Sequence, residues 1–391
     1  MTIVAPSSLL NDRSRRATTS AIRDLLEHAQ RPGMISLAGG LPDPAHFPTE
    51  ELAAIAADVL RHDGRRTLQY GLTAGDRALR EVIDAASGTG TDIDEVIVTT
   101  GSQQGLELLA GVLVDPGDPV AVADPEYLGA TQAFRRAGAD LVAVAADADG
   151  LDMAALEARL EAGCRPKFVY LVPHFHNPSG GTLSAERRAR LLELADHHGF
   201  LVVFDDPYRD LFVERGPVDD GDRHPMAVHL RSTSKVLAPG LRVGWTIGPS
   251  WLVRAMERAK QSADLHTSTV AQAIVRRALE ADWYPRHLEV LRHATRTKRD
   301  TLCDALTTTF GDRIDFRRPG GGMFVWAALP ADVSTDLLLP AALDAGVAYV
   351  PGSAFAVERD LSHHLRLSWA TGTPAELTEA VARLAGAIAA L

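Results

Sequence analysis

Several kinds of residue are scarce in this sequence, and each scarcity removes a class of protein. Two cysteines stand among 391 residues, Cys164 and Cys303, far apart and without a neighbouring Cys or His. That excludes a disulfide framework and a cysteine-rich zinc site, and it suits a reducing compartment, so a cytoplasmic protein is expected. No run approaches the ~18 uninterrupted apolar residues of a membrane span. The opening MTIVAPSSLLNDRSRR has no basic segment followed by a hydrophobic one, so no secretory signal is expected. Basic residues are in the minority, 40 Lys and Arg against 51 Asp and Glu, for a net charge of −11. This balance argues against a nucleic-acid or anionic-membrane binder and leaves room for a local basic pocket. Neither GxGxxG nor the P-loop pattern GxxxxGKS/T occurs, which disfavours dinucleotides and P-loop nucleotides.

What is present is ordinary for a globular chain: 46% apolar and 23% charged residues. The length predicts two domains, three at most, and a core that needs neither disulfide nor metal. Between residues 95 and 250, short runs of β-branched and apolar residues alternate with helical patterns. The strand candidates are EVIVT (95–99), PVAVAD (119–124), DLVAVAA (140–146), KFVYLVP (167–173), FLVVFDD (200–206), VHLRSTS (228–234) and VGWTIG (243–248). Several are nearly continuous apolar runs, as strands covered on both faces are. Helical patterns at 102–113, 154–163 and 185–199 lie between them, so the expected class is α/β with a mostly parallel seven-stranded sheet between helices. From 271 to 310 a charged helical stretch reads as a solvated connector. Strand candidates GGMFVWAAL (321–329), VAYVPG (347–352) and HLRLSWA (364–370) then predict a smaller α+β domain. The predicted division is an N-terminal arm with part of the small domain (1–45), a large domain (46–280) and a small C-terminal domain (281–391).

An open α/β sheet binds ligands at the carboxyl ends of its strands, so the residues just past each strand matter most. After EVIVT, Thr100-Gly101-Ser102-Gln103 opens a helix, a candidate anion site made of backbone N–H groups. After PVAVAD stands Tyr127, an aromatic able to stack on a planar ligand. After KFVYLVP comes His174-Phe175-His176-Asn177-Pro178-Ser179-Gly180; no third ligand joins the two histidines, so no metal is expected, while Asn177 can offer an amide. Asp205 and Asp206 follow FLVVF, one expected inward and one outward by strand alternation, with a cation to neutralise the buried one. After VHLRSTS comes Lys235, flanked by Ser232, Thr233 and Ser234, with Arg242 beyond a Pro-Gly turn. This pairs a potential Schiff-base amine with a phosphate-binding cluster.

Taken together, these segments resemble the fold type I pyridoxal-phosphate enzymes, and among them the class I/II aminotransferases, in matching order from about Ser20 to Ala370. Ser20-Ala21-Ile22-Arg23, Gly39-Gly40-Leu41-Pro42 and Ala263-Asp264-Leu265-His266-Thr267-Ser268-Thr269 are most similar to the aminoadipate and kynurenine aminotransferase branch. The resemblance implies pyridoxal phosphate on Lys235 as an internal aldimine, with Lys235 also the proton carrier. It implies Asp205 on the pyridine nitrogen, Asn177 and Tyr208 on the phenolic oxygen, and Tyr127 stacked on the ring. The phosphate would lie on Ser102, Gln103, Ser232, Ser234 and Arg242, with Tyr70 reaching it from the partner subunit of a homodimer. Arg366 matches the arginine that clamps the substrate α-carboxylate, helped by Gly40 and Asn177, and Arg23 stands where relatives approach the substrate side chain. The implied reaction is a ping-pong exchange between an amino acid and a 2-oxo acid.

Three segments depart from the resemblance: His176 where relatives carry Gln, Ser179 where they carry Thr, and Leu72-Thr73-Ala74-Gly75 in place of Pro-Thr-Glu-Gly. The same site could serve a β-lyase or an oxidase, although Arg366 would hold the carboxylate against decarboxylation. A pyridoxal-binding transcription regulator would need a DNA-binding module ahead of Ser20, where only about twenty residues stand.

Overall fold

A computed structural model describes residues 9–15, 31–87, 92–214, 216 and 224–390. A short strand, β1 (Ile35–Ser36), precedes the larger sheet. That sheet contains β2 (Val96–Thr99), β3 (Pro119–Asp124), β4 (Asp140–Asp147), β5 (Gly150–Leu151), β6 (Phe168–Leu171), β7 (Leu201–Asp205), β8 (Ala227–Ser232) and β9 (Gly244–Ile247). Its spatial order is β2-β9-β8-β7-β6-β3-β4-β5. The pairs from β8 through β7, β6 and β3 to β4 are parallel, while β9 runs antiparallel to both β2 and β8. The seven predicted strands are all present, and two-residue β5 adds an eighth by turning back on β4.

Strand alternation explains why the central runs are apolar throughout. Val120, Val122, Phe168, Tyr170, Leu201 and Val203 point into one core with the helix Ser102–Leu113. Their neighbours Ala121, Ala123, Val169, Leu171, Val202 and Phe204 point into another with the helix Ala185–His198. Both faces are covered, so both halves of the period-two pattern must be apolar.

A second, antiparallel sheet has the order β10 (Asp315–Phe316), β11 (Phe324–Ala328), β14 (His364–Ser368), β13 (Val350–Pro351). The predicted strand VAYVPG divides: β12 (Val347–Ala348) pairs in parallel with β1, Tyr349 intervenes, and β13 joins β14. Val325, Leu365 and Leu367 meet Leu302, Leu306, Leu377, Val381 and Leu384 in this region's core, which also takes in Leu37. The helix Pro374–Ala389 that supplies the last three begins in a reciprocal capping box between Thr373 and Glu376.

The charged stretch at 271–310 is more than a connector. It forms parts of two helices, Thr269–Leu279 and Tyr284–Phe310, and the second buries Lys298, Arg299, Leu302, Cys303, Leu306 and Phe310. A charged composition hid an apolar stripe at helical spacing.

The two sheets are joined at the end of β3. The Asp124 carboxylate accepts backbone N–H bonds from Val357, Glu358 and Arg359 at 2.8–3.0 Å. Two residues on, the Glu126 N–H donates to Phe355 O at 3.0 Å.

Candidate active site

The carboxyl ends of β2 and β8, with the amino end of the antiparallel β9 between them, form the first part of the site. Register sets Gly244 between Thr99 and Ser232. A Cβ at Gly244 would lie 2.8 Å from Ser102 N and 2.8 Å from the Gly101 carbonyl carbon, so only glycine lets the helix start come this close. Gly101 caps that helix at φ +74°, a left-handed conformation, and a Cβ on it would meet the Arg242 guanidinium at 2.6 Å. Arg242 is itself left-handed, at φ +53°, and its Nη2 donates to Thr100 O at 3.3 Å. Ser232 Oγ donates to Ser234 Oγ at 2.7 Å, and the Ser234 N–H donates back to Ser232 Oγ at 3.1 Å. Ser102, Ser232, Ser234 and Arg242 therefore gather around one helix N-terminus, an arrangement that suits a phosphate. The Gln103 side chain points elsewhere, donating to Gly129 O at 3.0 Å, so what it offers an anion is its backbone N–H.

Behind this cup lies a network that the sequence did not advertise. Fully buried Lys260 donates to Gln104 Oε1 at 2.7 Å and to the Asp264 carboxylate at 2.9 Å. Gln104 Oε1 also accepts the Thr100 N–H at 2.8 Å, which holds the turn before the helix from behind.

The deeper part is built from ionisable side chains. Lys235 follows β8, and its Nζ donates to Gly40 O at 2.8 Å. Burial, followed by the charges of Arg366 and Arg242, pushes its pKa down to about 8, against a smaller pull from Asp205. Asp205 closes β7 and is fully enclosed. Tyr170 on the adjacent β6 donates to its Oδ2 at 3.0 Å, while Oδ1 is buried with no partner among the described residues. Burial is the largest influence on Asp205 and raises it to about 7; the Tyr170 bond opposes this, and the charges of Asp206 and Glu126 add to it.

Arg366 projects from β14. Its Nη1 donates to Asn177 Oδ1 at 2.7 Å, Nη2 bonds Ala38 O, and buried Nε has no partner among the described residues. The guanidinium lies over the rings of Phe324 (4.2 Å) and Phe355 (4.9 Å), and burial lowers it to about 10. Burial raises the Tyr127 hydroxyl to about 12 and pushes Tyr208 higher still, against an opposing bond with Asn177. Asn177 precedes a cis proline, and the Tyr208 ring packs edge-on to Phe324 at 5.8 Å.

One expectation needs amendment. Asp206 does not face outward: it is only 5% exposed, and its Oδ2 meets His174 Nδ1 at 2.9 Å. Strand alternation sends the two aspartates to opposite faces, but both faces are covered here. The histidines at 174 and 176 lie past the end of β6, on either side of the left-handed Phe175, and have different partners: His174 meets Asp206 and His176 meets Glu126. Tyr70 lies on the surface of this protomer, 78% exposed between exposed Leu68 and Leu72 and edge-on to His266 at 5.8 Å. Arg23 lies outside the described residues.

Known proteins of similar sequence and structure show the family. The profile of "Aminotransferase class I and II" matches residues 32–384. The chain is 40% identical to the 2-aminoadipate transaminase of Thermus thermophilus, over 96% of this chain and 95% of that protein. It is 38% identical to aromatic-amino-acid aminotransferase 1 of Thermococcus litoralis, over 94% and 91% respectively. The crystal structure of the alpha-aminoadipate aminotransferase LysN from Thermus thermophilus, complexed with N-(5'-phosphopyridoxyl)-L-leucine, superposes with a TM-score of 0.93 at 38% identity, covering 99% of each chain.

Proposed function

The chain belongs to the class I and II aminotransferase family, and from that premise we propose that it moves an amino group between an L-amino acid and a 2-oxo acid in two successive half-reactions on one site, with pyridoxal phosphate carried by Lys235. When bound, pyridoxal phosphate supplies an electron sink for the substrate α-carbon. The residues present suit that group. Asp205 keeps a buried carboxylate oxygen with no partner among the described residues, as a protonated ring nitrogen requires, and Ser102, Gln103, Ser232, Ser234 and Arg242 would hold the phosphate at a helix start.

In this reading Lys235, lowered to about 8, is an amine able to take and return a proton near neutral pH. Asn177 and Tyr208 would bond the ring's phenolic oxygen, and Tyr127 would lie on the ring. Arg366 would hold the α-carboxylate, with Asn177 and Gly40 beside it and its own unpartnered Nε as a free donor. Phe324 and Phe355 keep water from the guanidinium, which strengthens its hold on an anion. In a homodimer, Tyr70 would complete the phosphate site of the partner protomer. A cytoplasmic setting, suggested by the cysteine usage, belongs to the same proposal.

The observation that carries this reading is the meeting of Lys235, Asp205 and Arg366, of which the last two each keep a buried polar atom free. The test is a spectroscopic screen of amino acids against the cofactor-loaded protein, beginning with aminoadipate and the aromatic amino acids for which the relatives are named. The expected products are a 2-oxo acid and the aminated cofactor. Ammonia with pyruvate would reassign the site to a lyase, and peroxide to an oxidase. Lys235→Ala should lose at least about 10³-fold in turnover; a variant that kept its transaminase activity would sink the proposal.

A further inference from the structure

Glu126 and His176 have no part in the reading above, yet they sit between two of the loops it uses. Glu126 immediately precedes Tyr127, and His176 immediately precedes Asn177. Glu126 is fully buried, and His176 is 7% exposed. A buried carboxylate persists only where its oxygens are satisfied, and here they are. Glu126 Oε1 accepts the Tyr127 N–H at 2.7 Å and bonds His176 Nε2 at 3.0 Å, while Oε2 accepts the Ala123 N–H at 3.2 Å.

The far side of the imidazole settles the direction of the bond. The Ser179 N–H donates to His176 Nδ1 at 3.4 Å, Ser179 Oγ stands 2.8 Å from the same nitrogen, and the Gly181 N–H donates to Ser179 Oγ at 3.3 Å. Nδ1 is thus an acceptor, so Nε2 carries the proton and points it at Glu126. Every partner of Glu126 is a donor, a set that a carboxylate satisfies and an amide does not.

We propose that Glu126 and His176 are a pair of positioning residues that lock the loop bearing Tyr127 to the loop bearing Asn177, and so fix how the cofactor ring is held. The pair spans two chain segments, the end of β3 and the Asn177 loop, and through Ser179 it also holds the turn of that loop at Gly181. None of its members is placed against the reacting atoms; the effect passes through Tyr127 and Asn177. The inference rests on the pyridoxal-phosphate reading given above.

The test measures the dissociation constant of pyridoxal phosphate, the induced circular dichroism of the bound cofactor, which reports ring orientation, and the thermal midpoint of the apoprotein. Glu126→Gln sets an amide NH₂ against a backbone N–H, and His176→Leu removes the imidazole donor. Each should weaken cofactor binding about tenfold and reduce the dichroism, roughly the effect of one buried hydrogen bond. His176→Gln keeps a donor within reach of Glu126 and should recover most of both signals. Ser179→Ala, which only frees the imidazole, should give the smallest change. Leu191→Ala, in the core on the far face of the sheet, serves as a comparator that lowers the thermal midpoint without altering the dichroism.

If all four pair variants bind with native affinity and native dichroism, or if dichroism falls equally in Leu191→Ala, the inference is overturned. A native chain that binds no cofactor would bring down the functional reading and this inference together. A native chain that binds while its variants match it would bring down this inference alone.

Discussion

Around the start of the Ser102–Leu113 helix the site consists of backbone and small hydroxyls, with Arg242 open to solvent. Around Lys235 it consists of charged and phenolic groups withdrawn from water, and Lys235, Asp205, Arg366, Tyr127 and Tyr208 all have pKa values moved by burial. The first region achieves its fit by close approach, through glycines that let strands and helix meet. The second achieves reactivity by desolvation, through side chains that would rest more easily in water. A site can thus separate anchoring, which needs geometry, from chemistry, which needs perturbed charge.

Substitutions that act on one region alone sharpen this contrast. The largest effect is expected from Arg366→Lys, which keeps the charge and loses the planar fork: kcat/KM for the amino acid should fall roughly a hundredfold while cofactor affinity stays native. An equal loss of cofactor affinity would blur the division. Gly244→Ala should do the reverse, because its Cβ would lie 2.8 Å from Ser102 N. Titration of the apoprotein should show cofactor binding weakened about thirtyfold by the misfit, with KM for the amino acid native once the site is saturated.

Asp205→Asn tests the cost of the deeper region. Asp205 is raised from 3.8 to about 7 in the folded state, so the folded state holds its proton more tightly than the unfolded one. Its burial therefore destabilises increasingly as pH rises from about 4 to about 7, and by a constant amount above that. Denaturant unfolding of the apoprotein at pH 8 should find Asp205→Asn more stable by about 1–2 kcal/mol, less than the full shift because an amide must still be buried. The gain should vanish below pH 4 even though the variant has lost turnover. The last test concerns Lys235, which in the proposed reading must be uncharged to capture the cofactor. The rate of loading onto apoprotein should rise about tenfold per pH unit up to about 8 and level off above it.

The two regions were not equally legible in the sequence. The anchoring residues announce themselves because glycine, serine and arginine at strand ends are conspicuous against apolar strands, and Lys235 stands out by its hydroxyl neighbours. The strands themselves were readable because burial on both faces makes the run continuous. What stayed hidden depends on packing across distant segments. Tyr170 looks like one more aromatic in an apolar strand until β7 brings Asp205 to its hydroxyl. Lys260 looks like any lysine on a charged helix until Gln104 and Asp264 close over it. Alternation alone turned Asp206 toward solvent because it carries no information about what covers the second face. The two-residue strands β12 and β13 fall below the length at which periodicity is a signal.

Asp124 grips three consecutive amides of the 357–359 segment, and Glu126 adds a fourth bond to Phe355, so the smaller sheet is tethered to the larger through the stretch of chain that ends in Tyr127. Mechanically this is a drawbar. In the proposed reading, a tilt of the C-terminal sheet, and of Arg366 with it, would pass within three residues to the Tyr127 ring, so the hold on a substrate carboxylate and the pose of that ring would share one lever.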